Sequence, residues 1–151
     1  MLSRRGFVLG AAGLVVTSVR APWLTALVPT PMTIYKSKTC GCCTKWVDHV
    51  KAGGFAATVH DEEEMEQLKS EWGVPEAVRS CHTAMVGSYL IEGHVPASDI
   101  RRLLAEKPKV AGLAVPGMPS GTPGMAEPGD EGGYEVVAFK SDGSTSRFAG
   151  H

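Results

Sequence analysis

"MTIYKSKTCGCCTKWVDHVKAGG", residues 32–54, changes its hydrophobic period partway along, and that change decides the fold class. Met32 to Ser37 is a short β-rich run ending in a polar turn. From Thr44 onward, Trp46, Val47 and Val50 fall on one helical face, and Gly53 and Gly54 stop it as a C-terminal cap. Cys40, Cys42 and Cys43 lie between the two runs. The cysteines therefore sit where a strand feeds a helix, whose free N–H groups and positive dipole end stabilise thiolates.

Three thiols in four positions are more than a structural disulfide needs. Closing Cys42 onto its neighbour Cys43 would force a small strained ring. Thiol–disulfide exchange needs only Cys40 and Cys43, and a single tetrahedral metal takes cysteines two to four residues apart so that each can turn inward. The stretch asks for more than one metal, or for a redox pair with a spare thiol.

Further along, "FAATVH" reads as a second strand, and Asp61 as the cap of a second helix, "EEEMEQLKSEW", with Met65, Leu68 and Trp72 at helical spacing. The acidic run Asp61 to Glu64 reads as a solvated first turn that suits the helix dipole. "TAMVGSYLIEG" reads as a hairpin turned at Gly87 and Ser88, and "PASDIRRLLAEKP" as a helix capped near Ser98, with Ile100, Leu103 and Leu104 facing inward. Strand, helix, strand, helix, hairpin, helix, with the cysteines at the first strand-to-helix junction, is the element order of a thioredoxin-like α/β fold. Fold order alone says little about function.

Residues 112–133 hold seven glycines and four prolines in 22 positions, a composition that excludes a helix or a central strand. The stretch reads either as a loose linker to the final hairpin, "YEVVAFKSDGSTSRF", turned at Asp142 and Gly143, or as a ligand loop. Met118 and Met125 stand in it without any periodic apolar face, and thioethers are soft ligands that suit Cu(I).

The chain's start bears on compartment. Arg4 and Arg5 precede an apolar run of 13 residues, Phe7 to Val19, too short for the roughly 20 residues that span a bilayer and suited to a signal peptide. Paired arginines in that place mark twin-arginine export to the periplasm, so residues 1–26 are set apart as a signal and 27–151 as one domain. Removing the signal takes away three arginines and no acid, and the formal charge goes from −1 to −4. A mildly acidic chain lacks the basic footprint that nucleic acid requires, and with its signal gone it has no membrane segment. One domain of this length buries a core without help from disulfides, so the four cysteines are free for chemistry. In an oxidising compartment two disulfides would be the plain reading, against which the vicinal pair argues.

Four thiols, two loop methionines and His82 beside Cys81 leave few chemistries. Structural zinc uses separated cysteine pairs, and the familiar iron–sulfur spacings are missing. Cu(I) accepts thiolate and thioether, and several ions bridged by sulfur would cancel the charge of four thiolates, whereas one Zn²⁺ would leave two negative charges. The opposing reading is a thiol–disulfide exchanger using Cys40 and Cys43. Thioredoxin-like redox proteins put a cis-proline before a threonine on the strand facing their cysteines. "SCHTAM" puts His82 before Thr83 instead, either as a ligand or as a hydrogen-bonded core imidazole. His94, in "EGHVP", reads as structural, and His49, His60 and His151 have no partner that the sequence identifies.

"CGCCTKWVDHVKAGGF", "VPEAVRSCHTAMVGSYLIEGHVPASDIRRLLAEKP" and "GLAVPGMPSGTPGM" together resemble the CopG-like periplasmic copper-resistance proteins, in matching order from Thr33 to Phe148. The resemblance implies a thioredoxin-like fold and a copper site formed by Cys40, Cys42, Cys43 and Cys81, with Met118 and Met125 as the methionines of the loop. It also implies a role in copper sequestration or in electron transfer to copper, alongside other periplasmic copper-handling proteins.

Overall fold

The computed structural model describes residues 28–130 and 133–151, and the export signal expected over residues 1–26 lies outside the described residues. The chain forms β1 (Thr30–Lys36), α1 (Gly41–Ala52), β2 (Phe55–Asp61), α2 (Met65–Glu71), β3 (His82–Val86), β4 (Tyr89–Glu92), α3 (Ala97–Glu106), β5 (Gly112–Ala114), β6 (Glu135–Phe139) and β7 (Thr145–Gly150). One seven-stranded mixed sheet runs in the order β2-β1-β3-β4-β5-β6-β7. β1 pairs β2 in parallel, β3 antiparallel, and the β3–β4 hairpin turns at Gly87, whose φ of 57° suits glycine. The first four strands with α1 and α3 fit a thioredoxin-like α/β fold, and β5 to β7 extend the sheet.

The core follows from the residue pattern. β1 alternates, burying Met32 and Ile34, and α1 buries Trp46, Val47 and Val50 on the stripe expected from its period. Gly53 and Gly54 end α1, their N–H groups donating to the His49 and Lys51 carbonyls. A Cβ at Gly53 would stand 2.5 Å from the Ala97 Cβ, so the end of α1 and the start of α3 approach as closely as glycine allows. The Trp46 indole N–H donates to the Val95 carbonyl at 2.9 Å and ties α1 to the chain leaving β4.

Four details differ from the sequence expectations. Asp61 caps no helix: it ends β2 and accepts from Lys36 Nζ at 3.0 Å, while α2 starts later, at Met65. The side chain that α2 buries is Lys69, with Met65, Leu68 and Trp72 only half-buried, because a carboxylate on another element meets the ammonium. Ser98 lies exposed inside α3; the N–H of Ala97 is met by His49 Nε2 at 3.0 Å, a cap from a neighbouring helix. Gly112 to Ala114, inside the stretch judged unfit for a central strand, form β5 between β4 and β6. The strand is only three residues long and finishes before Pro116, and a Cβ on Gly112 would stand far inside van der Waals contact distance of the Leu90 carbonyl oxygen. The glycine that argued against a strand is what lets this one pack. No helix among the described residues is long and apolar enough to cross a membrane.

Candidate metal and thiol centre

Cys40 occupies the residue before α1, with Cys42 and Cys43 in its first turn, which carries no acidic side chain. Cys40 and Cys43, one helical turn apart, form a disulfide across a Cα separation of 5.4 Å. Cys43 is buried and Cys40 half-buried. Cys42 and Cys81 are free thiols, also half-buried, and Cys42 Sγ lies 3.5 Å from Cys40 Sγ. Because β3 pairs with β1 so that His82 faces Lys36, the start of β3 lies beside the end of β1, where the chain turns toward the cysteines. That register brings Cys81 in: the sulfurs of Cys40, Cys42, Cys43 and Cys81 all lie within 4.8 Å of one another.

A second group shares Cys81. Its Sγ stands 3.3 Å from His82 Nδ1 and 3.1 Å from His94 Nε2, the three ligand atoms again lying within 4.8 Å of one another. His94, read from the sequence as structural, is thus the residue that sequence reasoning missed. Its Nδ1 lies 2.7 Å from the Pro123 carbonyl, which can only accept, so Nδ1 carries the proton and Nε2 turns a lone pair toward Cys81. A ring held by one nitrogen to a carbonyl, with the other free to bind, is the usual arrangement of a metal-ligating histidine. His82 packs on Trp46, with 4.3 Å between ring centroids, and its buried Nε2 has no hydrogen-bond partner among the described residues.

Burial favours the neutral form of both imidazoles. It holds His82 well below the usual histidine range, helped by His94, Lys69 and Lys36, and it lowers His94 against the opposing pull of the Pro123 carbonyl. Burial also pushes the Cys81 thiol up to about 11, with the neighbouring Cys42 adding to the rise. A neutral thiol beside two neutral imidazoles costs little to bury. The same set also offers sulfur and nitrogen lone pairs to a soft metal.

The glycine-rich loop is seated on this centre. Gly124, at φ 89°, packs so close to the first turn of α1 that an added Cβ would stand 2.9 Å from Trp46 N and 3.0 Å from Cys42 O. Thr122 is fully buried and accepts through its carbonyl from the Met125 N–H, which makes the loop a packed element and overturns the loose-linker alternative. Met125 follows Gly124 and is half-buried, while Met118 is 57% exposed. His49 and His151 hold structural bonds, to Ala97 N and to Asp99 Oδ2, and His60 stacks on Tyr35.

A cysteine-rich helix N-terminus facing a Cys-His strand on a thioredoxin-like sheet defines a class of protein whose site can bind metal or exchange disulfides. Residues 78–125 match the model of a family described as a protein of unknown function, DUF411. Two solved structures, forms 1 and 2 of a copper resistance protein CopG, are each 41% identical, cover 82% of this chain and 98% of their own, and superpose with TM-scores of 0.76 and 0.77. The chain belongs to the CopG family. No curated protein matches the sequence.

Proposed function

We propose that this protein binds Cu(I) through Cys40, Cys42, Cys43 and Cys81, with His82 and His94 at the edge, and holds several ions in a thiolate-bridged cluster that protects against excess copper. The observation that carries the reading is the convergence of four sulfurs within 4.8 Å, two of them from adjacent residues. Adjacent thiolates suit bridging, and monovalent copper cancels their charge ion by ion. The neutral imidazoles add donors without adding charge. Met125, half-buried and next in sequence to Gly124, is one candidate for a thioether ligand, and the exposed Met118 is another. The name of the similar solved structures, copper resistance protein, favours copper over zinc. In this reading the twin-arginine signal sends the folded domain to the periplasm, where it exchanges copper with other periplasmic copper-handling proteins.

The test is an anaerobic titration of the reduced protein against a chromophoric Cu(I) chelator, in parallel with Zn²⁺. More than one Cu(I) per chain, bound in preference to zinc, is the expected result. One Zn²⁺ that Cu(I) does not displace would sink the cluster.

The Cys40–Cys43 disulfide favours a second reading, an oxidoreductase acting on copper or a thiol–disulfide exchanger in which Cys42 is a spacer. The Cys42→Ser variant separates the two, because the exchanger does without that thiol and the bridged cluster does not.

A further inference from the structure

Beside the sulfur centre, Lys69 on α2 and Glu92 at the end of β4 are 1% and 0% exposed and form an ion pair. A buried pair is a poor stabiliser, because desolvating both charges offsets their attraction, and apolar residues of similar volume often do as well. What the pair touches is therefore more informative than its presence. Lys69 Nζ also donates to the Ser80 carbonyl at 2.8 Å. Glu92 Oε1 accepts from the Ser80 N–H and Oε2 from the Thr83 hydroxyl, both at 2.6 Å. Beyond the ion pair itself, every one of these bonds ends on residue 80 or residue 83. Between those two lie Cys81 and His82.

We propose that Lys69 and Glu92 are positioning residues, a buried clamp that grips the chain on both sides of Cys81–His82 and so aims the Cys81 sulfur and the His82 ring at the cysteine helix. The surroundings agree. Ser80 Oγ donates to the Gly117 carbonyl, and the Gly93 N–H donates to the His82 carbonyl at 2.9 Å. Gly93, at φ 71°, lies so near Ser80 that a Cβ would stand 2.5 Å from its Oγ. The hydrogen bonds of the clamp residues run to the chain on either side of Cys81–His82 and not to a sulfur, so the clamp acts through the strand it holds. Its consequence for copper rests on the copper reading above. The aiming of Cys81 does not.

The test uses the disulfide form of the full chain, in which Cys42 and Cys81 are free. Iodoacetamide labelling, read by peptide mass spectrometry, gives the ratio of Cys81 to Cys42 modification, and general loosening moves both while loss of the clamp moves only Cys81. Lys69→Met/Glu92→Leu removes the clamp at similar volume. Lys69→Met/Glu92→Gln removes the charge yet keeps hydrogen-bonding groups facing Ser80 and Thr83. The first should raise the ratio about tenfold, by exposing the Cys81 thiol, and the second, which loses the Lys69 grip on the Ser80 carbonyl but keeps groups facing the Ser80 N–H and the Thr83 hydroxyl, should raise it severalfold less. Ile100→Val, a mild core truncation in α3, should leave it unchanged. Cu(I) affinity of the reduced protein should fall about 10–100-fold in the Leu variant, as for other residues that orient metal ligands, and fall less in the Gln variant. An unchanged ratio in a Leu variant with native near-UV circular dichroism would overturn the clamp. Should that variant not fold, Thr83→Val removes one strut alone, and an unchanged ratio there overturns it equally. If the wild-type protein takes up no Cu(I), the copper reading fails and the labelling ratio still decides the clamp.

Discussion

Gly124→Ala tests whether the glycine-rich loop belongs to the centre. At φ 89° an alanine meets left-handed strain of about 1–3 kcal/mol. The new Cβ also meets Trp46 N at 2.9 Å, Cys42 O at 3.0 Å and Lys45 C at 3.3 Å, all of them backbone atoms of a hydrogen-bonded helix turn that cannot rotate aside. The loop must lift, and as it does the Pro123 carbonyl leaves His94 Nδ1. Gly129→Ala is the matched control, because φ is 100° there and none of the described residues lies within 4 Å of the new Cβ, so the conformational cost dominates. With a urea slope of about 1–3 kcal/mol/M, a loss of about 2 kcal/mol lowers the midpoint by about 1 M. We expect that shift or more in Gly124→Ala and a smaller one in Gly129→Ala. We also expect Cu(I) affinity to fall about tenfold in Gly124→Ala alone, since His94 loses the bond that orients it. Equal midpoints and equal copper affinities in the two variants would refute the argument that the loop is part of the site.

Thiol titration of the denatured, unreduced protein should give two reactive groups per chain and four after reduction, and four at the outset would exclude the Cys40–Cys43 disulfide. Cys42→Ser should lower copper stoichiometry about as much as Cys40→Ser or Cys81→Ser, and full loading together with reductase activity would hand the site to the exchanger. His94→Ala should weaken Cu(I) binding about tenfold or more, and unaltered affinity in chelator competition would return the residue to a structural role. Met118→Leu and Met125→Leu, which keep volume and remove one neutral ligand each, should weaken binding less than any cysteine change, Met118→Leu least because its side chain is the more exposed. Changing Arg4 and Arg5 to Lys should leave precursor in the cytoplasm, as fractionation and immunoblotting would show, and unchanged periplasmic yield would point to general export.

The cysteine helix was readable because its signal is local: a period-2 run, a turn, then a period-3.6 face closed by two glycines. The features that misled are those whose explanation lies on another strand. Lys69 looks like a solvated residue on a polar helix until Glu92, 23 positions away, is found to pair with it. Gly112 looks like a breaker until the Leu90 carbonyl is seen to need the space where a Cβ would stand. Local propensity is a weak prior wherever tertiary contact supplies the missing partner.

His94 is different, because its role follows from the hairpin itself. A turn at Gly87 and Ser88 fixes the register, and the observed pairing sets Val86 opposite Tyr89 and Thr83 opposite Glu92. Carried two residues past the end of the ladder, the same register puts Cys81 across from His94, and the sulfur and Nε2 are indeed 3.1 Å apart. The intervening pair keeps contact too, through the bond from the Gly93 N–H to the His82 carbonyl. Three consecutive residues thus reach the Cys81 strand: Glu92 to Ser80 and Thr83, Gly93 to His82, and His94 to Cys81. An inserted residue in the turn would shift all three at once, moving the clamp and the imidazole off the thiol while leaving the sequence of every candidate ligand intact. The length of this hairpin is therefore as much a part of the site as the cysteines are.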